Sequence, residues 1–469
     1  MEKLEIRDLI VPGVADADYI REVAETKRAL ELWTMEPGFQ EKFMESPEDA
    51  LAAHGLHIDV PSVRILVSHE EAEKYRGVPP EELPPTAGRY RGFIYEKLRQ
   101  REHMVHCDCV PAHAGFRAWR TRQVSRCWAE LGRKNGAMVH APLMFELDLG
   151  CSVGCPFCGI AAGKLQKVCR YDEENRALWR GILSYMKDIL GPAAGSGTCY
   201  YATEPLDNPD YEKFVRDYFE ILGMVPQITT AASMRNPART KALLEELHRM
   251  RPAIHRFSVL SLDILHQIHG YFRPEELLYV ELLPQFIEAP SCHFSKAGRA
   301  QEMQDDHVVD DDANTISCIS GFVVNMAERS VRLLTPCPVS EAHPTGEYLV
   351  AWESFSDLED FKRVIEQLMG QFMAVEMPKD QPLRLRPGIE YEMTGEGITF
   401  SRKKRYRLRF GGSDDISPEV YQKVLTAMQK GGSPRGIAAL LLDENIAPAY
   451  TFFILKKFET AGLFLEGYE

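Results

Sequence analysis

No apolar run in this chain approaches the ~20 residues that a membrane-spanning helix needs. The opening, MEKLEIRDL, is charged and lacks the apolar stretch of a secretion signal. A cytoplasmic protein is therefore expected. Positive charge is also short: 55 Lys and Arg stand against 69 Asp and Glu, a net of −14. A field of that sign disfavours a general nucleic-acid binder. Internal repeats and low-complexity tracts are absent, and the 132 residues after Cys337 contain no cysteine.

What is present is a globular composition, 45% hydrophobic and 26% charged. At 469 residues the chain exceeds one ordinary core, and two to four domains are expected. Residues 1–90 read as short helices plus one strand. ADADYIREVAETKRALELW has a helical period. In SPEDALAAHG, Ser46 stands as N-cap, Pro47 in the first turn and Gly55 past the end. VPSVRILV alternates like a strand, and GVPPEELPPTAG reads as a linker. Residues 91–137 are a helical bridging segment.

Residues 138–384 alternate strand-length apolar runs with helices. APLMFELDL precedes DEENRALWRGILSYMKDIL, GTCYYATEP precedes YEKFVRDYFEIL, and PQITTAA precedes PARTKALLEELHRM. HRFSVLSL and LLYVELLPQF continue the series. This alternation predicts a parallel α/β sheet of βαβ units. Such sheets bind ligands at the carboxyl ends of their strands. Residues 385–469 read as a β-hairpin, IEYEMTGEGITFSRKKRYRLRF, then three helices, the pattern of a winged helix.

Eleven cysteines in a long chain of this kind point to metal binding or catalysis. Cys151, Cys155 and Cys158 form C-x3-C-x2-C directly after the first strand of the alternating region. Three thiolates at this spacing can hold three corners of a cubane iron–sulfur cluster and leave one iron open. The alternatives are a zinc site, which usually takes two C-x2-C pairs, and a chance grouping. Cys107, Cys109 and Cys127 offer a second, separate metal candidate.

FELDLGCSVGCPFC resembles the cluster loop of the radical S-adenosylmethionine (radical SAM) superfamily, and the resemblance extends over roughly residues 140–340. It implies a partial (β/α)6 radical SAM barrel across residues 138–384. It also implies a [4Fe-4S] cluster on Cys151, Cys155 and Cys158, S-adenosyl-L-methionine on the open iron, and an external electron donor. Phe157 is then expected to pack over the cluster. CYYATEP resembles the family's Gly-Gly-Glu-Pro motif, with Glu204 and Pro205 in place and Ala202-Thr203 where the glycines belong. The implied role of Glu204 is to receive the methionine amino group. Thr229, Thr230, Ser233, Arg256, Ser258 and Ser261 stand where family members bind ribose hydroxyls and carboxylate, or are structural polar residues. SKAGRA resembles a late superfamily loop, whose Lys296 and Arg299 meet substrate or cofactor or lie on a solvated turn.

The flanks resemble peptide-maturation modules. Residues 385–469 resemble the RiPP recognition element, which adds a precursor's leader as an extra strand. Arg402, Lys403, Lys404, Arg405 and Arg407 either attract an acidic leader or form a solvated wing. EPGFQEKFMESPEDALAAHGLHIDVPSVRILV resembles the nitrile-hydratase-like leader of proteusin precursors. As a whole the chain resembles the radical SAM peptide epimerases of proteusin pathways. These remove the α-hydrogen of an L-residue and return a hydrogen from a thiol on the opposite face. Cys337 is the expected donor, with Cys318 and Cys292 next. The rivals are a maturase making a crosslink or thioether and a non-catalytic precursor-binding protein. The first usually draws on a cysteine-dense tail, and the second needs no three-cysteine loop.

Overall fold

A computed structural model describes residues 17–251, 253–303, 307–309, 314–402, 406–411 and 416–466. Lys403, Lys404 and Arg405 lie outside the described residues. No helix among the described residues is long and apolar enough to cross a membrane.

The N-terminal part is helical: α1 (Ala17–Met35), α2 (Phe39–Glu45), α3 (Pro47–Ala52), α4 (Val60–Val67), α5 (His69–Lys74), α6 (Pro85–His103) and α7 (Ala114–Leu131). The strand expected at VPSVRILV is α4. Asp59 caps it by accepting from the Ser62 amide at 2.9 Å, and Pro61 stands in the first turn. A good cap and a buried Val63 and Ile65 outweigh the β-branched run. Ser46 occupies the N-cap of α3 as expected, but its hydroxyl donates to the Asp49 carboxylate rather than accepting an amide. The linker is shorter than expected, because α6 begins at Pro85. Buried Arg28 on α1 donates to the Phe272 carbonyl at 3.0 Å, docking this part on the core.

The core opens with β1 (Ala141–Glu146), β2 (Asp148–Leu149), β3 (Lys167–Val168) and α8 (Glu173–Leu190). It continues through α9 (Tyr211–Leu222), β4 (Thr229–Thr230), α10 (Pro237–Met250), β5 (His255–Val259) and α11 (Leu262–Tyr271). Next come β6 (Val280–Pro284), β7 (Phe294–Ser295), β8 (Val308–Val309), β9 (Ile319–Asn325), β10 (Ser330–Pro336), β11 (Glu347–Ser354) and α12 (Leu358–Phe372). The β4, β5 and β6 strands are parallel. GTCYYATEP contributes only a rung: Phe145 donates to the Thr198 carbonyl at 2.8 Å, and Thr198 makes a parallel bridge to Gln227. Parallel segments therefore run β6, β5, β4, Thr198, β1 in space.

The sixth parallel strand of the series departs from the expected arrangement. It is β9, and it pairs with β1, from Ala141↔Ile319 to Glu146↔Asn325. From there β10 and β11 extend the sheet in antiparallel fashion. Among the described strands, none joins β6 to β11. β1 is buried at all six positions. Leu143 and Phe145 pack among residues of α8, α9 and α12, while Ala141 and Met144 pack on the other, inner face with Val323, Leu334 and Ile160.

The C-terminal part has its own apolar core. In place of the expected hairpin it holds a three-stranded antiparallel meander, β12 (Glu390–Thr394), β13 (Gly397–Arg402) and β14 (Tyr406–Phe410). Three helices follow: α13 (Pro418–Gln429), α14 (Pro434–Leu442) and α15 (Pro448–Thr460). Arg402 pairs with buried Glu130 of α7 at 2.9 Å, so it tethers this part to the bridging helices. Arg407 is exposed on β14.

Candidate functional site

The cysteine loop leaves the carboxyl end of β1, the edge expected for a βαβ sheet. Gly150 takes φ +87°, and a Cβ there would meet the Lys164 carbonyl oxygen at 2.2 Å. Only glycine fits both the angle and the gap. Cys151 then pairs with the returning chain: its amide donates to the Gly163 carbonyl at 2.9 Å, and its own carbonyl accepts from Leu165 at 3.2 Å. Within the loop, the Cys158 amide reaches the Cys155 carbonyl at 3.3 Å. All three cysteines are half-buried. Burial raises the Cys151 thiol, and burial with Cys158 and Cys151 alongside pushes Cys155 up to about 11.

Distant side chains hold the loop. Asp207 accepts from the Ser152 amide at 2.8 Å and from its hydroxyl, and Arg235 donates to Asp207 at 3.0 Å. Phe157 stacks on Phe294 with centroids 4.7 Å apart and planes 12° apart. Arg299 donates from Nε to the Cys155 carbonyl at 2.9 Å and from Nη1 to the Ala162 carbonyl at 2.8 Å. Arg299 therefore touches the loop itself, an arrangement that neither reading of SKAGRA named. Lys296 is half-buried beside it.

Glu204 is 3% exposed and holds the end of β4. One carboxylate oxygen accepts from the Thr230 hydroxyl and from the Leu206 amide at 3.1 Å. The other accepts from the Ala231 amide at 2.9 Å. A carboxylate offers about four lone-pair sites, so one acceptor position is left. Burial raises its carboxyl pKa. Pro205 opens a short helical turn after it. The Ala202 amide donates to Glu146 at 3.0 Å.

Thr229, Arg256 and Glu281 form a row across β4, β5 and β6. The Thr229 hydroxyl meets the Tyr200 hydroxyl at 2.5 Å, and Arg256 donates to Glu281 at 3.0 Å. Ser258 stands half-buried on the Arg256 side of β5. Among the described residues, the buried Ser233 hydroxyl has no hydrogen-bond partner. Ser261 is a helix cap, accepting from the Ile264 amide at 3.2 Å, so a structural role accounts for it.

The candidate thiols lie in different settings. Cys337 follows β10 at the edge opposite the loop's exit and is fully buried. Burial pushes its thiol up strongly, in surroundings of Arg126, Glu130 and Cys127. Cys292 is fully buried in the apolar cluster around β5 and β6. Cys318 immediately precedes β9 and is partly exposed. It packs at the margin of the inner-face cluster, as does Ile160, two residues past Cys158. Gly159 lies against Ile316, two residues before Cys318. Burial pushes Cys318 up to about 11, with Glu347 and Arg256 acting on it in opposite senses. Cys107 is exposed and Cys109 and Cys127 are buried, and among the described residues no three His, Cys, Asp or Glu converge on one metal ion.

Sequence reasoning missed an inner-face polar group. Glu146 accepts from Arg332 at 2.7 Å and from Asn325 at 2.9 Å. Buried Asp148 accepts from Asn208 at 2.8 Å, and burial pushes its carboxyl up to about 7. Two acids spaced by two at the end of an apolar strand were the available signal. Arg332 carried none.

No family model matches the chain. BtrN, solved in complex with AdoMet and 2-DOIA, aligns with 41% of this chain and 71% of its own at 13% identity, with a TM-score of 0.27. An uncharacterized protein of Sinorhizobium fredii, y4wI, is 35% identical over 357 residues, which span 74% of this chain and 69% of that protein. The chain therefore belongs to the family of the uncharacterized protein y4wI.

Proposed function

We propose that the chain is a radical SAM enzyme that epimerises residues of a ribosomally made peptide. The observation that supports this most is the loop itself. Three half-buried thiols leave the carboxyl end of the central parallel strand, near enough that Cys151 and Cys158 act on Cys155. A cubane takes one thiolate per iron, so its thiols need not converge on one point. The residues fit that group: Cys151, Cys155 and Cys158 would hold it, and the last acceptor position of Glu204 is free for an ammonium donor. When bound, the cluster and S-adenosylmethionine supply a radical able to abstract hydrogen from carbon.

This chain's residues would supply the other half of the reaction. A hydrogen-returning thiol must be protonated and must face the substrate; having given its hydrogen atom to the carbon radical it would be left a thiyl radical, which one electron from the external donor and one proton would restore. Burial keeps Cys318 protonated at neutral pH, and it is partly exposed at the start of β9, where its carbonyl accepts from the Ala141 amide at 3.2 Å. Cys337 is protonated as well, but it is fully buried. We therefore place the donor role on Cys318, ahead of Cys337 and Cys292. Among the described strands, β12 and β14 are the two edges of the C-terminal meander, and a leader peptide can pair on such an edge.

The test is co-expression with the precursor peptide in D2O, followed by mass spectrometry. A gain of about one mass unit per epimerised residue is expected, from the solvent-exchanged thiol. A loss of two units would mark a crosslink and overturn the epimerase reading. A purified, reconstituted protein without iron and sulfide would overturn the radical SAM reading as well.

A further inference from the structure

We infer that Arg299 is the positioning residue that sets the geometry of the cysteine loop; this rests on the cluster-binding reading above. Between Cys155 and Ala162 the loop has few ties of its own: the Cys158 amide to the Cys155 carbonyl at 3.3 Å, and the Ala161 amide to the Cys158 carbonyl at 3.0 Å. Arg299 reaches in from 144 residues downstream. Its guanidinium binds the carbonyls of Cys155 and Ala162 at 2.9 and 2.8 Å, and its backbone amide binds the carbonyl of Cys158 at 3.0 Å. A planar fork with fixed donor directions holds two carbonyls at a set separation, which a single ammonium cannot do.

The turn that carries Arg299 is pressed against the loop. Gly298 takes φ +53°, and a Cβ there would stand 2.4 Å from the Gly159 carbonyl oxygen and 2.5 Å from that of Cys158. On its far side the Gly298 amide donates to the Pro344 carbonyl at 2.7 Å. The turn is thus tied on both sides. Two cysteines are fixed through their carbonyls, and their sulfurs stay free for metal. The Cys151 end is held separately by Ser152, Asp207 and Arg235. Groups that orient metal ligands, and charge near a cluster, tune its affinity and potential.

The experiment uses full-length protein, reconstituted anaerobically with iron and sulfide, as wild type, Arg299→Gln and Arg299→Lys. The readouts are iron retained against a chelator, the electron paramagnetic resonance spectrum of the reduced cluster with and without S-adenosylmethionine, and the midpoint potential. Melting of the metal-free protein controls for folding. Arg299→Gln should lose iron several-fold faster, with an altered spectrum and potential and an unchanged metal-free melting point. Arg299→Lys, which keeps the charge but not the fork, should recover part of the retention and potential. A wild-type cluster matched by both variants in retention, spectrum and potential would overturn the clamp and leave the cluster reading intact. A wild type that binds no cluster would overturn the cluster reading and the clamp with it.

Discussion

The fold treats two groups of cysteines in opposite ways: those of the loop, and the pair formed by Cys127 of α7 and Cys337 after β10. Cys151, Cys155 and Cys158 are half-buried, and their backbones are tied down by Gly163, Asp207 and Arg299. Cys127 and Cys337 are fully buried, and burial pushes Cys127 up to about 11. Buried Arg126 binds the Pro336 carbonyl at 2.6 Å and the Thr335 hydroxyl at 2.9 Å beside them. One set has a fixed backbone and available sulfur, as a ligand set requires. The other is fully buried, the commonest setting for a cysteine. Cys318 borders two apolar clusters, the one that holds Cys127 and the inner-face one that Ile160 also borders.

The largest expected effect separates the sets outright. Cys155→Ala should abolish iron binding, read as iron per chain after reconstitution, whereas Cys337→Ala should bind iron like the wild type. Equal iron in the two variants would erase the distinction. Next, Cys318→Ala should still consume S-adenosylmethionine but leave the peptide without deuterium in D2O. If Cys337→Ala shows that pattern and Cys318→Ala does not, the donor lies in the buried set. Gly150→Ala tests the backbone side. A Cβ 2.2 Å from the Lys164 carbonyl at a left-handed φ should cost at least about 1–3 kcal/mol and slow cluster uptake. Cys337→Ala should cost about 1 kcal/mol in denaturant midpoint, the scale of a small buried truncation.

Local chemistry was legible in the sequence where one residue's own needs decide the structure. The loop follows β1 as read from Cys151 to Cys158, and helices α8, α9 and α10 fall where their periodicity placed them. Pairing partners were not legible. Nothing in ISGFVVN says that β9 joins β1 rather than β6, because that choice depends on which edge is open after the chain has turned. GTCYYATEP reads as a strand, yet the structure keeps only the Thr198 bridge, since its side chains are spent on Thr229, Glu347 and Ser317. VPSVRILV misled by composition, where Asp59 and Pro61 settled it as a helix. Arg299 was visible as a motif residue, but its partners are backbone carbonyls, which no side-chain pattern advertises. Arg332 had no signal, because its partner Glu146 is set by sheet register.

The last effect is one of pH, and it should again fall on the buried side. His140 is 1% exposed just before β1, with its ring nitrogens on Ser320 and Asn135 at 2.8 Å each. Burial, with Arg120 and Arg126 nearby, lowers its pKa to about 3. An unfolded histidine titrates near ~6.5. The folded value is depressed, so the neutral ring's stability is complete above that pH and is lost as pH falls toward about 3. Between pH 7 and 6 the loss from this group should stay below about 1 kcal/mol, steepening toward ~1.4 kcal/mol per pH unit lower down. His255, also lowered to about 3 by burial, adds in the same direction from the start of β5. The cysteine loop from Gly150 to Leu165 contains no histidine. Hydrogen exchange on metal-free protein at pH 5.5 should therefore open residues 135–141 and 318–321 relative to pH 7.5, with a smaller change over 150–165. His140→Gln should flatten the first response. Equal acid opening of both regions would mean that the loop's stability is coupled to the buried edge, and that the two sets of cysteines belong to one cooperative unit.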